Sequence, residues 1–112
     1  MDKSLYGKYI EEKEDRHIIE GDDYFLTYKF EQDWCYIVDI YVTPNKRKKG
    51  LITKISLQCE DIARKKGYTK MLGSIDISTH NPEVPAIAMI NHGYKFFKLV
   101  GSIIYLIKDL NK

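Results

Sequence analysis

A basic run in the middle of the chain has the residue types and the position needed to bind an anion. Residues 46–49 read Lys-Arg-Lys-Lys and precede Gly50, after which a pattern typical of a helix begins. The first amides of a helix have no intrahelical partner and carry the positive end of the helix dipole. Glycine lets a phosphate approach the backbone, and Arg and Lys add charge-assisted hydrogen bonds. The pattern predicts a phosphate-binding loop, with a solvated basic turn as an equal alternative.

Acid–base chemistry has two candidates outside the basic run. Asp39 lies on a strand pattern before the run, and His80 lies in a loop that follows a later strand. A carboxylate can accept a proton directly or through water, and an imidazole can relay one near neutral pH. A partly exposed strand carboxylate and a surface-loop histidine are the structural alternatives.

The two cysteines, Cys35 and Cys59, lack the Cys-x-x-Cys spacing of a metal or redox motif. One falls in a strand pattern and the other in a helix pattern. Free cysteine is among the most buried residue types, so we expect two buried thiols and no bound metal.

Composition indicates one compact domain spanning residues 1–112. The chain is 44% hydrophobic and 30% charged, and its net charge of +2 is too near neutral for a general nucleic-acid binder. No apolar run approaches the ~20 residues of a membrane helix, and the first residues show no apolar signal region. We therefore expect a soluble, cytoplasmic protein without a membrane or nucleic-acid partner.

Strand patterns fill the first half of the chain. Short candidates lie at 6–11 and 16–20, and longer aromatic and β-branched runs lie at 24–30 and 34–42. Turn residues separate these runs, so an antiparallel meander is predicted.

The second half alternates helices and strands. Apolar residues recur at helical spacing from Ile52 to Ala63, and Gly67 provides a stop. A strand at 69–77, a helix at 82–92 and strands at 94–99 and 102–108 follow. The order predicts an α+β domain with a central β-α-β crossover.

Residues 42–54 resemble the acetyl-coenzyme A binding segment of the GNAT acetyltransferase superfamily. The family pattern is a valine, a loop that often contains proline, and then (Gln/Arg)-x-x-Gly-x-(Gly/Ala), in which Arg47 and Gly50 take the first two places. The resemblance continues with Ala-Arg-Lys-Lys-Gly-Tyr at 63–68 and Asn-His-Gly-Tyr at 91–94. It covers roughly residues 23–110 and implies a mixed, mostly antiparallel twisted sheet with helices on both faces.

The resemblance also implies an activity and a set of site residues. A family member of this kind transfers an acetyl group from acetyl-coenzyme A to a primary amine of a protein, peptide or small molecule, by direct attack in a ternary complex. The central strand is expected to splay, and the backbone N–H of Val42 is the expected oxyanion donor. No metal is implied, and the protein is expected to be a monomer or a homodimer. The implied cofactor-binding residues are Ile40, Val42, Arg47, Lys48, Lys49, Gly50, Leu51, Ile52, Thr53 and Asn81.

The sequence departs from the family pattern at several positions. Ile52 replaces the second small residue of the motif, and Met89 stands where many members place a proton-donating tyrosine. Tyr36 stands where some members place a catalytic glutamate, so Tyr36 joins Asp39 and His80 as a catalytic candidate. The N-terminal region is short, which predicts an open acceptor site.

Several alternatives remain open at this point. Tyr94, Tyr105 and Tyr36 are substitute proton donors or ordinary core residues, and Asn81 is a pantetheine partner or a helix N-cap. The departures from the family pattern also allow a catalytically degenerate binding or regulatory module. Nucleic-acid binding through the basic run is a third possibility.

Overall fold

The computed structural model describes residues 4–46, 50–79 and 81–110. For Val84 and Pro85 it describes the backbone alone. The elements in chain order are helix α1 Leu5–Lys13, strands β1 His17–Glu20, β2 Tyr24–Glu31 and β3 Trp34–Val42, a short 3-10 helix Pro44–Lys46, helix α2 Leu51–Lys65, strand β4 Lys70–Asp76, helix α3 Glu83–Asn91, and strands β5 Lys95–Val100 and β6 Ile103–Asp109.

The N-terminal segment is a helix, so the strand predicted at 6–11 is wrong. The Ser4 side chain accepts a hydrogen bond from the Gly7 N–H at 3.0 Å, which is the N-cap arrangement that starts α1. Gly7 and Ile10 are buried at a spacing of three, which is the period of a helix and not of a strand. The other strands and helices lie where the patterns predict, within a few residues.

The six strands form one mixed sheet in the order β1-β2-β3-β4-β6-β5. Every neighbouring pair is antiparallel except β3 and β4, which are parallel and are joined through α2. This confirms the predicted α+β class and its central β-α-β crossover.

Helices lie on both faces of the sheet. Helix α2 packs against β3 through Cys59 and Cys35, whose sulfur atoms are 3.9 Å apart. On the same face, the Met89 side chain of α3 lies directly against Gly73 of β4. Helix α1 lies on the opposite face, where the Tyr6 and Phe25 rings are 5.2 Å apart. We call the first the helical face and the second the open face.

The core fills the helical face. Both cysteines are free and fully buried, as expected. The hydrogen bond to Cys35, together with burial, raises the pKa of the Cys59 thiol, so it stays protonated at neutral pH. The core includes Leu26, Ile55, Ala63, Met71, Tyr94 and Leu106.

The parallel pair of β3 and β4 is short. Its register runs only through Trp34–Lys70, Cys35–Met71 and Tyr36–Leu72. Just beyond this point β3 contains a bulge, because Thr27 pairs with Asp39 while Tyr28 pairs with Ile37, and Val38 is the extra residue. A bulge bends a strand and increases its twist, so β3 turns away from β4 beyond Tyr36.

Helix α1 should contribute to stability through Ile10, which is 2% exposed. We expect Ile10→Ala to lower the free energy of unfolding by about 2–4 kcal/mol, because it leaves a cavity beneath the helix. Denaturant unfolding followed by circular dichroism measures the change. Leu5→Ala is the matched control, since Leu5 is 86% exposed and should change stability by about 0.5 kcal/mol or less. Equal costs for the two variants would show that α1 does not pack on the sheet.

Candidate functional site

A cleft of about 470 Å³ opens where β3 and β4 diverge. The diverging strands form two of its walls, and helices α2 and α3 close it from the helical face. Most of its surface is apolar, and it is lined by Ile37, Val38, Asp39, Ile40, Ile52, Ser56, Gly73, Ser74, Ile75, Ala88, Met89 and Tyr94. The splay expected of the central strand is therefore present.

The backbone of β3 faces this cleft at alternate residues. The Thr43 N–H donates to the Asp23 carbonyl at 2.8 Å, so Thr43 turns its polar groups towards the β2 side. In an antiparallel ladder, hydrogen-bonded pairs alternate with pairs that are not hydrogen-bonded to each other. Ile40 and Val42, opposite Leu26 and Tyr24, therefore direct their backbone N–H and C=O groups away from β2. That side is the diverging edge of β3, where an extended ligand can lie alongside the strand.

The N-terminus of α2 stands at the mouth of the cleft. Gly50 is its N-cap with a φ of 74°, and no side chain caps the helix. A Cβ at Gly50 would meet nothing within 4 Å, so the described surroundings leave room for a ligand against the amides of Leu51 to Thr53. Ile52 is 47% exposed and forms part of the cleft wall.

Of the remaining predicted cofactor residues, some lie within the described residues and some lie outside them. Arg47, Lys48 and Lys49 lie outside the described residues, as does the catalytic candidate His80. Asn81 is exposed with a φ of 53°, and the N-cap of α3 is Pro82. The alternative that Asn81 caps α3 is therefore wrong, and its role towards a ligand stays a prediction.

Tyr36 and Asp39 both lie on the open face, next to the divergence. The Tyr36 hydroxyl and the Ser74 hydroxyl form a hydrogen bond of 2.9 Å between β3 and β4. The Asp39 carboxylate accepts a hydrogen bond of 3.1 Å from Arg16 and is 58% exposed. Both groups already have partners, so any ligand of the Asp39 carboxylate must compete with Arg16.

The helical side of the cleft holds Met89 and Tyr94. Met89 lies against Gly73, where a Cβ would overlap its terminal methyl group, so Met89 narrows the cleft. Tyr94 is 5% exposed, and its hydroxyl has no hydrogen-bond partner among the described residues. Burial, and then the Glu60 carboxylate, raises the pKa of Tyr94, so this phenol stays protonated. It can donate a hydrogen bond, but it is a poor acid.

Sequence reasoning missed three residues of this region. Arg16 and Ser74 reach the candidates Asp39 and Tyr36 only through the folded sheet, and Ser56 of α2 lines the cleft. No local signal marks them, because each contact joins elements distant in the sequence.

Two observations concern other classes of site. Across residues 4–46, 50–79 and 81–110, no group of three or more His, Cys, Asp or Glu residues is placed to hold a metal ion. Over the same part of the chain, no helix is long and apolar enough to cross a membrane.

Residues 9–94 match the family model described as Acetyltransferase (GNAT) family. The chain therefore belongs to the GNAT acetyltransferase family, as the resemblance at residues 42–54 implied. No curated protein sequence matches the chain.

Solved structures with the same fold are distant in sequence. The PaiA N-acetyltransferase from Thermoplasma acidophilum, solved in complex with coenzyme A, has a TM-score of 0.70 and 20% identity, covering 78% of this chain and 53% of that one. This chain thus spans about half the length of the Thermoplasma protein. A putative acetyltransferase from Agrobacterium tumefaciens has a TM-score of 0.68 and 17% identity, covering 97% and 95% of the two chains. The ribosomal-protein-S18-alanine N-acetyltransferase from Escherichia coli has a TM-score of 0.69 and 14% identity, covering 98% and 79%.

Two tyrosines near the divergence should respond differently to loss of their hydroxyls. We expect Tyr36→Phe to lower the free energy of unfolding by about 1 kcal/mol, because it removes the hydrogen bond to Ser74. Tyr94→Phe should leave stability unchanged or raise it, because the buried hydroxyl it removes has no described partner. Denaturant unfolding of both variants measures this. A clear loss for Tyr94→Phe would reveal a structural partner for its hydroxyl.

Proposed function

We propose that the chain is an acetyl-coenzyme A-dependent N-acetyltransferase that moves the acetyl group to a primary amine by direct attack in a ternary complex. The observation that carries the proposal is the cleft between the diverging β3 and β4, with the uncapped N-terminus of α2 at its mouth. Membership of the acetyltransferase family indicates which reaction the cleft would support.

The described residues fit the donor in two ways. The amides at the start of α2, which no side chain caps, suit the diphosphate, and Gly50 has no side chain to occupy the open space beside them. The apolar cleft and the diverging edge of β3 suit an extended pantetheine arm, with Ile40 and Val42 offering backbone groups. Arg47, Lys48 and Lys49 would add charge at the phosphates, and Asn81 would bind the arm.

Bound acetyl-coenzyme A supplies an activated acetyl thioester. In our proposal the Val42 N–H donates to the thioester carbonyl oxygen and stabilises the negative charge that develops there. No residue has to protonate the leaving thiolate, because a thiol pKa near 8.5 makes it a tolerable leaving group that solvent can protonate. Methionine at position 89 is therefore compatible with turnover.

Removal of a proton from the amine falls to the open face. Asp39 is our proposed base, directly or through a water, and it must exchange its contact with Arg16 for the amine. The Tyr36–Ser74 hydrogen bond lies at the divergence, where it can hold a water or another part of the acceptor in position. His80 remains a proposed proton relay.

A second candidate function keeps the fold and drops the turnover. Ile52 replaces a small residue at the mouth of the cleft, Met89 narrows the cleft, and Arg16 occupies the proposed base. These features together favour a degenerate binding or regulatory module as the alternative.

Calorimetric titration with acetyl-coenzyme A tests the donor site. We expect saturable binding by the native chain and none by Gly50→Glu, because a carboxylate at the start of α2 repels the diphosphate and fills its space. Gly67→Glu is the matched control, since Gly67 also has a positive φ and open surroundings but lies at the other end of α2. This control should bind normally.

Thiol release across a panel of amines and peptides then separates the two candidate functions. Release with any amine supports the transferase, and binding without release supports the module. Absence of binding at millimolar acetyl-coenzyme A would contradict the transferase.

A further inference from the structure

The open face of the sheet is only partly covered. Helix α1 lies over β1 and β2, where Tyr6 contacts Phe25 and Arg16 reaches Asp39. The first half of β3, together with β4, β6 and β5, carries no described helix on this face. These strands therefore form one wall of a site that has no opposite wall in the described residues.

This uncovered region contains a groove of about 460 Å³, and its floor is largely aromatic. Trp34 and Phe97 meet at a centroid distance of 5.2 Å and an interplanar angle of 56°. Tyr36, Leu72 and Tyr105 continue the floor across three strands. Such a surface binds flat or apolar groups by burying their area. We call it the open-face groove.

Lysines border the open-face groove. The Lys98 ammonium lies 5.4 Å from the Tyr105 ring centroid and 5.5 Å from that of Phe97. Lys29 lies 5.9 Å from the Tyr36 centroid, and Lys70 lies 5.9 Å from that of Trp34. Lys95 pairs with Ile107 and so belongs to the same face.

The residues that line the open-face groove include two lysines, Lys29 and Lys98, and one acid, Glu31, and Lys98 has no carboxylate partner among the described residues. Glu31 is engaged with Lys29 at 2.8 Å, and Asp109 pairs with Lys70 across the strands. The groove is therefore complementary in charge to an anionic molecule.

The groove and the donor cleft meet at one hydrogen bond. Tyr36 lines the groove, Ser74 lines the cleft, and their hydroxyls are 2.9 Å apart. A molecule in the groove that reaches this pair is at the point where β3 and β4 part. Beyond this pair, the diverging edge of β3 leads along the cleft towards Val42, where the proposed function puts the thioester.

The ionic contacts around this point favour an amine that loses its proton easily. Asp39 is paired with Arg16, and Glu31 is paired with Lys29. A peptide α-amine has a pKa near 8 and a lysine amine near 10.4, so the neutral fraction at pH 7 is larger for the α-amine by roughly several-hundred-fold. Because the nearby carboxylates are already paired, an α-amine is the better acceptor, since it needs less assistance from a general base to lose its proton.

We propose that the acceptor is the N-terminal amine of an acidic peptide bound in the open-face groove, an inference that rests on the proposed transferase function. The N-terminal residues of the peptide extend past Tyr36 and Ser74 so that the amine lies in the cleft. An apolar side chain further along the peptide lies on the aromatic floor, and acidic side chains face Lys98. The missing opposite wall suits an extended peptide, because small-molecule sites enclose most of their ligand. The neutral amine nitrogen forms the bond to the acetyl carbon, the carbon–sulfur bond breaks with its electron pair on sulfur, and the amine proton leaves to solvent.

Trp34 gives a direct test of docking, because it is the only tryptophan in the chain and it lines the groove. Its fluorescence is followed while a peptide with a free N-terminus, an aromatic residue a few positions after it and several Asp and Glu residues is added, with and without coenzyme A. We expect a saturable change. Lys98→Glu should weaken binding about tenfold, since it replaces an attraction by a repulsion, and added salt should weaken it further. Lys65→Glu, with the same charge change on exposed α2, should bind normally.

Three results would overturn this inference. The first is no change in Trp34 fluorescence with the acidic peptide under either condition. The second is equal or tighter binding of a charge-reversed peptide that carries Lys in place of Asp and Glu. The third is binding of single-stranded DNA but not of the peptide, which would assign the aromatic floor and its lysines to a nucleic acid.

Transfer is tested with an acidic peptide that carries both a free N-terminus and one internal lysine. Mass spectrometry should place the acetyl group on the α-amine. Exclusive acetylation of lysine or of basic peptides, with acetyl-coenzyme A bound normally, overturns the acceptor assignment and leaves the transferase function standing. Peptide docking at Trp34 without acetyl-coenzyme A binding removes the transferase function and, with it, the acceptor role.

Discussion

The parting of β3 from β4 is the constraint on which the rest of the structure depends. Three paired residues hold the strands together, and the extra residue Val38 then bends β3 away. A parallel pair that continued would use its backbone groups in the ladder and leave no cleft. Glycine at position 73 lets Met89 of α3 reach the β4 backbone, so the helix supports the separated strands without filling the space between them.

The position of α2 depends on a buried ion pair behind the cleft. Glu60 is 1% exposed, and Lys108 of β6 lies 2.9 Å from its carboxylate, with Arg64 at 3.7 Å. A buried pair of this kind adds little net stability, but removing one partner costs about 3–5 kcal/mol. The pair links α2 to β6, in addition to the apolar contacts of α2 with the core. The orientation of α2 in turn decides where its N-terminal amides point.

Most of the element order could be predicted from residue spacing, and the site only in part. The helical period of α2 and the stop at Gly67 are local signals, so they gave the crossover and the position of Gly50. The same reasoning failed at α1, where a short segment was interpreted as a strand although Tyr6 and Ile10 lie four residues apart, a helical spacing, and Ser4 caps the helix. The contacts Tyr36–Ser74 and Arg16–Asp39 have no local signal, because they form only after distant elements have paired.

The alternation of side chains along β3 divides the two tasks of a transferase between the faces of one strand. Beyond the bulge, Ile40 and Val42 belong with the helical face, while Asp39 and Tyr41 belong with the open face. A one-residue slip of β3 would exchange these sets, burying Asp39 in the core and exposing Val42, which is 2% exposed. The register that builds the hydrophobic core therefore also separates the side that we propose for the donor from the side that we propose for the acceptor. Because α1 covers only part of the open face, aromatic and lysine side chains remain accessible on the face where our proposal puts the acceptor.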